Sequence, residues 1–142
     1  MPKTSIGSIY ESEAYKQALQ AADSVQDKPL PAASAGLLSG RDVRLSPVLD
    51  EAMVAKGQRL YASNCQACHS LGTDKTVGPG WQGITVRRQP EWILNMILHT
   101  DAMLTHDATA RKLLAEYQVR MPTQTISQDE ARQVLEFMRT LK

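Results

Sequence analysis

Cys65-Gln66-Ala67-Cys68-His69 is the stretch of this chain whose residue types and spacing carry chemistry. Cys-x-x-Cys-His is the attachment signature for c-type haem. Residues three apart on a helix share a face, so both thiols can meet the two vinyl groups along one porphyrin edge and form thioethers. His69, the next residue, can turn its imidazole onto the iron from the same side. Other uses of the pair compete with this one. A structural zinc ion takes four protein ligands. The chain has no further cysteine, and His99 and His106, the remaining histidines, stand at no finger-like spacing. A redox dithiol wants a βαβ setting, and no convincing strand is readable. A plain disulfide leaves His69 without a role. Haem attachment is the leading reading, ahead of zinc and redox exchange.

The elements that must position this stretch read as helices. Ser46-Pro47 is an N-cap followed by proline at the first helical position. Leu49, Met53, Gly57, Leu60 and Tyr61 then recur at helical spacing up to Cys65. A glycine-rich loop covers 71–83. A helix from about Pro90 carries Trp92, Ile93, Leu94, Met96, Ile97 and Leu98, apolar nearly all round, which predicts burial. Another is expected from Thr105 or Asp107 with Leu113, Leu114 and Tyr117, leaving Met103 in a loop. Ser127 and Glu130 form a capping box for a last helix whose inner face is Ala131, Val134, Leu135, Met138 and Leu141.

Residues 1–46 differ from the rest. A weak amphipathic helix is expected over 8–24, a break at Lys28-Pro29-Leu30-Pro31, and a loop or short turn over 32–36. The segment holds five basic and five acidic residues and is neutral. Its Ile6, Ile9, Tyr10, Leu37 and Leu38 favour docking on the main body over free disorder. The architecture expected is all-α, with an N-terminal extension over 1–46, a helical domain over 47–142 and no internal repeat.

At this point the sequence resembles the class I c-type cytochromes, over 47–142. The attachment motif is shared by many haem proteins, but further features fall in the family's order. Gly57 and Tyr61 match the glycine and aromatic of the helix before the motif. Gly78-Pro79-Gly80-Trp81-Gln82-Gly83 resembles the Gly-Pro loop, and Met121-Pro122 the loop of the methionine ligand. Arg87 falls where members place an arginine near a haem propionate, and Phe137 where the final helix carries an aromatic. The resemblance implies a cytochrome c fold and one haem c held by Cys65 and Cys68. It implies His69 and Met121 as axial ligands, with the Pro79 carbonyl accepting the free ring N–H of His69. Met103, and a second histidine from His99 or His106, remain rivals to Met121; Met96 and Met138 are expected in the core. Trp81 and Trp92 are expected to pack on the haem, their indole N–H groups being a second route to a propionate, and Arg88 is a weaker choice than Arg87.

Iron with both axial positions filled by protein leaves no place for a substrate. The function expected is therefore a single-electron carrier and not an enzyme. By resemblance it runs between a quinol-oxidising complex and a terminal reductase, most often a haem–copper oxygen reductase, with a nitrogen-oxide reductase next. A gas sensor or peroxidase-like protein with a labile sixth ligand is the alternative. Docking is expected to be transient, at the exposed haem edge near Gln66, Ala67 and the 78–81 loop, on a monomer. The net charge of +1 excludes a strongly basic nucleic-acid binder and an acidic tail protein. One Phe, two Trp and four Tyr make a modest core that a cofactor is expected to complete. No apolar run is long enough to cross a bilayer. Thioether formation in bacteria takes place outside the cytoplasmic membrane. The expected location is the periplasm or the membrane's outer face, with the signal segment absent here.

Overall fold

The computed structural model describes residues 36–142, so the expectations for 8–24, 28–31 and 32–35, and for docking through Ile6, Ile9 and Tyr10, lie outside the described residues. These residues form six α-helices and one π-helical turn, with no strand among them. They are α1 (Glu51–Leu60), the π turn (Tyr61–Cys65), α2 (Ile84–Arg87), α3 (Pro90–Leu98), α4 (Thr100–His106), α5 (Ala108–Tyr117) and α6 (Gln128–Met138).

α1 and α6 cross at Gly57. A Cβ there would stand 2.0 Å from the Gln133 carbonyl oxygen and 2.9 Å from the Phe137 Cβ, so only glycine permits the approach. The crossing brings the Tyr61 ring within 5.7 Å of Phe137, and Tyr61 then reaches Trp81 at 5.0 Å. α6 starts with the expected capping box. Ser127 Oγ accepts the Glu130 N–H at 3.1 Å and Glu130 Oε1 accepts the Ser127 N–H at 3.0 Å. Its inner residues Ala131, Val134 and Leu135 are fully buried.

α1 starts later than the sequence suggests. Its N-cap is Asp50, whose Oδ1 accepts the Met53 N–H at 3.1 Å, and not Ser46. Asp50 wins because its own N–H is also satisfied, donating to Glu136 Oε1 at 3.1 Å. Glu136 is 1% exposed. It accepts from Arg132 at 2.5 Å and Arg139 at 2.9 Å, and these arginines reach on to the carbonyls of Arg44 and Ser46. Burial works against the Glu136 carboxylate, but the hydrogen bonds from Arg132, the Asp50 N–H and Arg139 outweigh it and hold its pKa below the ordinary value.

The stretch from 99 to 107 also departs from expectation. α4 occupies it, and Met103 sits inside α4 with no exposure, packed with Leu37 and Ala110. The helix was hidden because His99 interrupts the pattern, its backbone at φ −136° and ψ 48°. α5 is capped by Asp107, whose Oδ2 accepts the Ala110 N–H at 2.8 Å.

Candidate functional site

Between the Cys65–His69 turn and the helices α3 and α5 lies a cleft with about 1040 Å³ of empty space, partly open to solvent. Its first wall is built from the motif. The π turn closes with the Gln66 N–H on the Tyr61 carbonyl at 2.9 Å. The chain then makes one more turn, with the Cys68 and His69 N–H groups both on the Cys65 carbonyl, at 3.2 and 3.0 Å. Cys65, Cys68 and His69 all line the cleft.

His69 is held from several sides. Its Nδ1–H donates to the Pro79 carbonyl at 2.8 Å. That bond fixes the tautomer, leaves Nε2 as a lone-pair donor, and raises its basicity. Burial lowers the His69 pKa, with the Pro79 bond opposing, so the ring favours its neutral, ligating form. The Tyr61 hydroxyl donates to the His69 carbonyl at 2.6 Å, and the Thr76 hydroxyl to the Cys68 carbonyl at 2.6 Å. Gly78 lies against the imidazole, where a Cβ would stand 2.6 Å from Cε1. Gly80 lies against Gly72, where a Cβ would stand 2.2 Å from the carbonyl oxygen. Trp81 stacks obliquely on His69 at 5.4 Å and is 3% exposed, so it belongs to the interior and not to the outer edge.

The other wall comes from α3, α5 and the loop after α5. Trp92, Met96, Leu114, Tyr117 and Met121 line it. Met121 is half-buried, while its rivals lie elsewhere: Met103 is in the core, and neither His99 nor His106 lines the cleft. Met96 differs from expectation, since it packs behind the cleft and also lines it. Sequence reasoning passed over Met96 and Tyr117 as cleft residues. It also gave Tyr61 a packing role only; its place one turn before Cys65 was the available signal.

Two of the predicted residues put their donors elsewhere. The Trp92 indole N–H donates to Asp107 Oδ2 at 2.8 Å, so it serves the α5 cap and is not free for a propionate. Arg87 is exposed, and its guanidinium bonds the Gln82 carbonyl and, at 3.2 Å, the Gly80 carbonyl. It lines an adjoining opening with Gln82, Arg88 and Trp92, not the main cleft. Arg88 stacks over the Trp92 ring at 5.1 Å.

The donor set fits a covalent haem better than the alternatives. Two thiols and an oriented imidazole face one apolar cleft. Among the described residues no group of three His, Cys, Asp or Glu is arranged to hold a metal ion. Burial, then the neighbouring Cys68, pushes the Cys65 thiol up to about 11, whereas redox dithiols need a depressed value.

A family model for cytochrome c matches residues 54–142. A cytochrome c from Rhodothermus marinus superposes with a TM-score of 0.71 at 30% identity, covering 78% of this chain and 94% of that one. An engineered form of that cytochrome gives 0.70 at 29% identity, covering 78% and 95%. A further engineered form, described as bound to a carbene intermediate, gives 0.67 at 29% identity over the same shares. No curated protein matches the chain. The chain belongs to the cytochrome c family. Such proteins bind haem c covalently and carry electrons, and this chain's two cysteines, Cys65 and Cys68, both line the cleft.

Proposed function

We propose that this protein carries single electrons through one haem c whose iron is held between His69 Nε2 and the Met121 thioether. The observation that supports it most is the His69–Pro79 bond at 2.8 Å, which commits one nitrogen of a ring lining the cleft to the backbone and leaves the other as the ligating atom. When bound, the group supplies reversible one-electron exchange at iron. The protein's part is to hold the imidazole rigidly, to exclude water with apolar walls, and to offer a soft sulfur that favours the reduced metal and raises the potential. The adjoining opening, with Arg88 and Gln82 on its wall and the backbone-bonded Arg87 beside them, is the polar side suited to the two propionates.

The proposed setting is the periplasm or the outer face of the cytoplasmic membrane. The protein works there as a monomer between a quinol-oxidising complex and a terminal oxidase, most simply a haem–copper oxygen reductase. Among the described residues no helix is long and apolar enough to cross a membrane. Val77 and Val119, 44% and 53% exposed, flank the cleft opening. Nearby charges are paired internally, Lys75 with Glu116 at 2.5 Å and Arg120 with Asp101. Such a rim supports transient, largely apolar docking with weak dependence on salt.

A second reading, a gas sensor or peroxidase-like protein with a labile sixth ligand, is favoured by the irregular loop around Met121. The engineered relative bound to a carbene intermediate lends it support. Spectra of the oxidised and reduced holoprotein decide. The carrier reading expects low-spin haem c, the near-red methionine-to-ferric-iron band, and no carbon monoxide adduct at neutral pH. A high-spin ferrous form that takes up carbon monoxide stoichiometrically would establish the second reading instead.

A further inference from the structure

α3 faces two ways. Trp92, Met96 and Ile97 line the cleft, while Asn95 does not. Asn95 is fully buried and spends its whole amide on one residue of the segment that enters the domain. The Leu38 N–H donates to Asn95 Oδ1 at 2.9 Å, and Asn95 Nδ2 donates to the Leu38 carbonyl at 2.9 Å. Leu37, beside it, is buried with Met103 and Ala110, and against these pack Trp92 and Met96. Residues 37 and 38 therefore back the wall whose front is the cleft. Two residues beyond Asn95, the Ile97 carbonyl accepts the Gln124 N–H at 3.0 Å, which holds the loop carrying Met121. One short helix thus grips the entering segment on one side and the Met121 loop on the other.

We propose that Asn95 is a positioning residue: its clamp on Leu38 fixes α3, and α3, through the Ile97–Gln124 bond, holds Met121 against the iron. The inference rests on Met121 being the ligand. A buried amide that loses both partners carries the full desolvation penalty, so the clamp is closed or broken with little between. With the clamp broken, α3 is free to shift, the Gln124 bond loosens, and Met121 spends more time away from the metal. An added ligand competes for the same position, and its apparent affinity scales with the fraction of molecules in which that position is open.

The test is an imidazole titration of the ferric holoprotein, followed by the loss of the methionine band, for wild type, Asn95→Leu, Glu136→Gln and Met121→Ala. Asn95→Leu is expected to bind imidazole roughly tenfold more tightly, the size of coupling usual between linked sites. Glu136→Gln unlatches residues 44–50 from α6 without touching α3, and is expected to lose stability yet bind imidazole as wild type does. If Asn95→Leu yields no folded holoprotein, Asn95→Ala, which removes the amide without adding bulk, reads the same coupling. Wild-type affinity in the folded Asn95 variant overturns the proposal. So does an equal gain in Glu136→Gln, which would mark general loosening. Imidazole binding unchanged in Met121→Ala would instead remove the ligand assignment, and the coupling with it.

Discussion

The two walls of the cleft are built by different means. On the His69 side almost every group is held: the ring by Pro79, its carbonyl by Tyr61, the Cys68 carbonyl by Thr76 and the Gly78 N–H. Glycines at 78 and 80 then allow backbone and ring to close to distances that no side chain would permit. On the Met121 side the chain leaves α5 through Gln118, at a left-handed φ of 57°, and runs irregularly to α6. Its ties there are the Gln124 N–H on Ile97, the Gln124 side chain on Pro122 at 3.1 Å, and the exposed Arg120–Asp101 pair. One wall is fixed by close packing and the other by a few bonds. Local opening starts where bonds are few and exposed, so the cleft should open from the Met121 side.

The largest effect is expected on the rigid wall. Gly78→Val forces a side chain into the His69 ring, which its neighbours prevent from retreating. A loss of about 3 kcal/mol is expected from such overpacking, read by thermal denaturation of the holoprotein together with a loss of the low-spin spectrum. A variant of near wild-type stability and spectrum would show that this wall yields after all.

A remote change gives a smaller effect and sharpens the contrast. Glu136→Gln should cost about 2 kcal/mol, since charged hydrogen bonds to Arg132 and Arg139 are lost while both arginines keep some solvent contact. The visible spectrum should not change, because neither wall is touched. The pH dependence has a definite sign. The folded pKa of Glu136 lies below its ordinary value, so its stabilisation is complete above the ordinary carboxylate range. It fades as the pH falls below that range towards the folded value. Denaturant titrations from pH 7 to about pH 3 should therefore show the gap between wild type and variant closing. A gap that widens on acidification would contradict the assignment.

The motif and its immediate supports were legible in the sequence because short-range spacing encodes them. Cys65, Cys68 and His69 lie on one turn and Ser127 stands three before Glu130, whereas the Pro79 carbonyl was expected only through the family resemblance. Gly57 was singled out by its match to the family pattern, and the close crossing there is seen in the packing of α1 on α6. The destinations of polar side chains were not legible, since they depend on partners far along the chain. Asp50 displaced Ser46 as the α1 cap through Glu136, 86 residues away. Trp92 gave its N–H to Asp107, and Arg87 turned to the 80–82 backbone. Met103 looked like a loop residue because α4 is short, at seven residues, and its burial comes from Leu37, far back along the chain.

The central claim is the pairing of His69 with Met121 across the cleft. Proton NMR of the reduced holoprotein tests it most directly. A methionine methyl held over the porphyrin plane feels its ring current, so one three-proton resonance should lie far upfield of every other methyl and vanish in Met121→Leu. Absence of that resonance from the wild type, or its survival in Met121→Leu, would contradict the account.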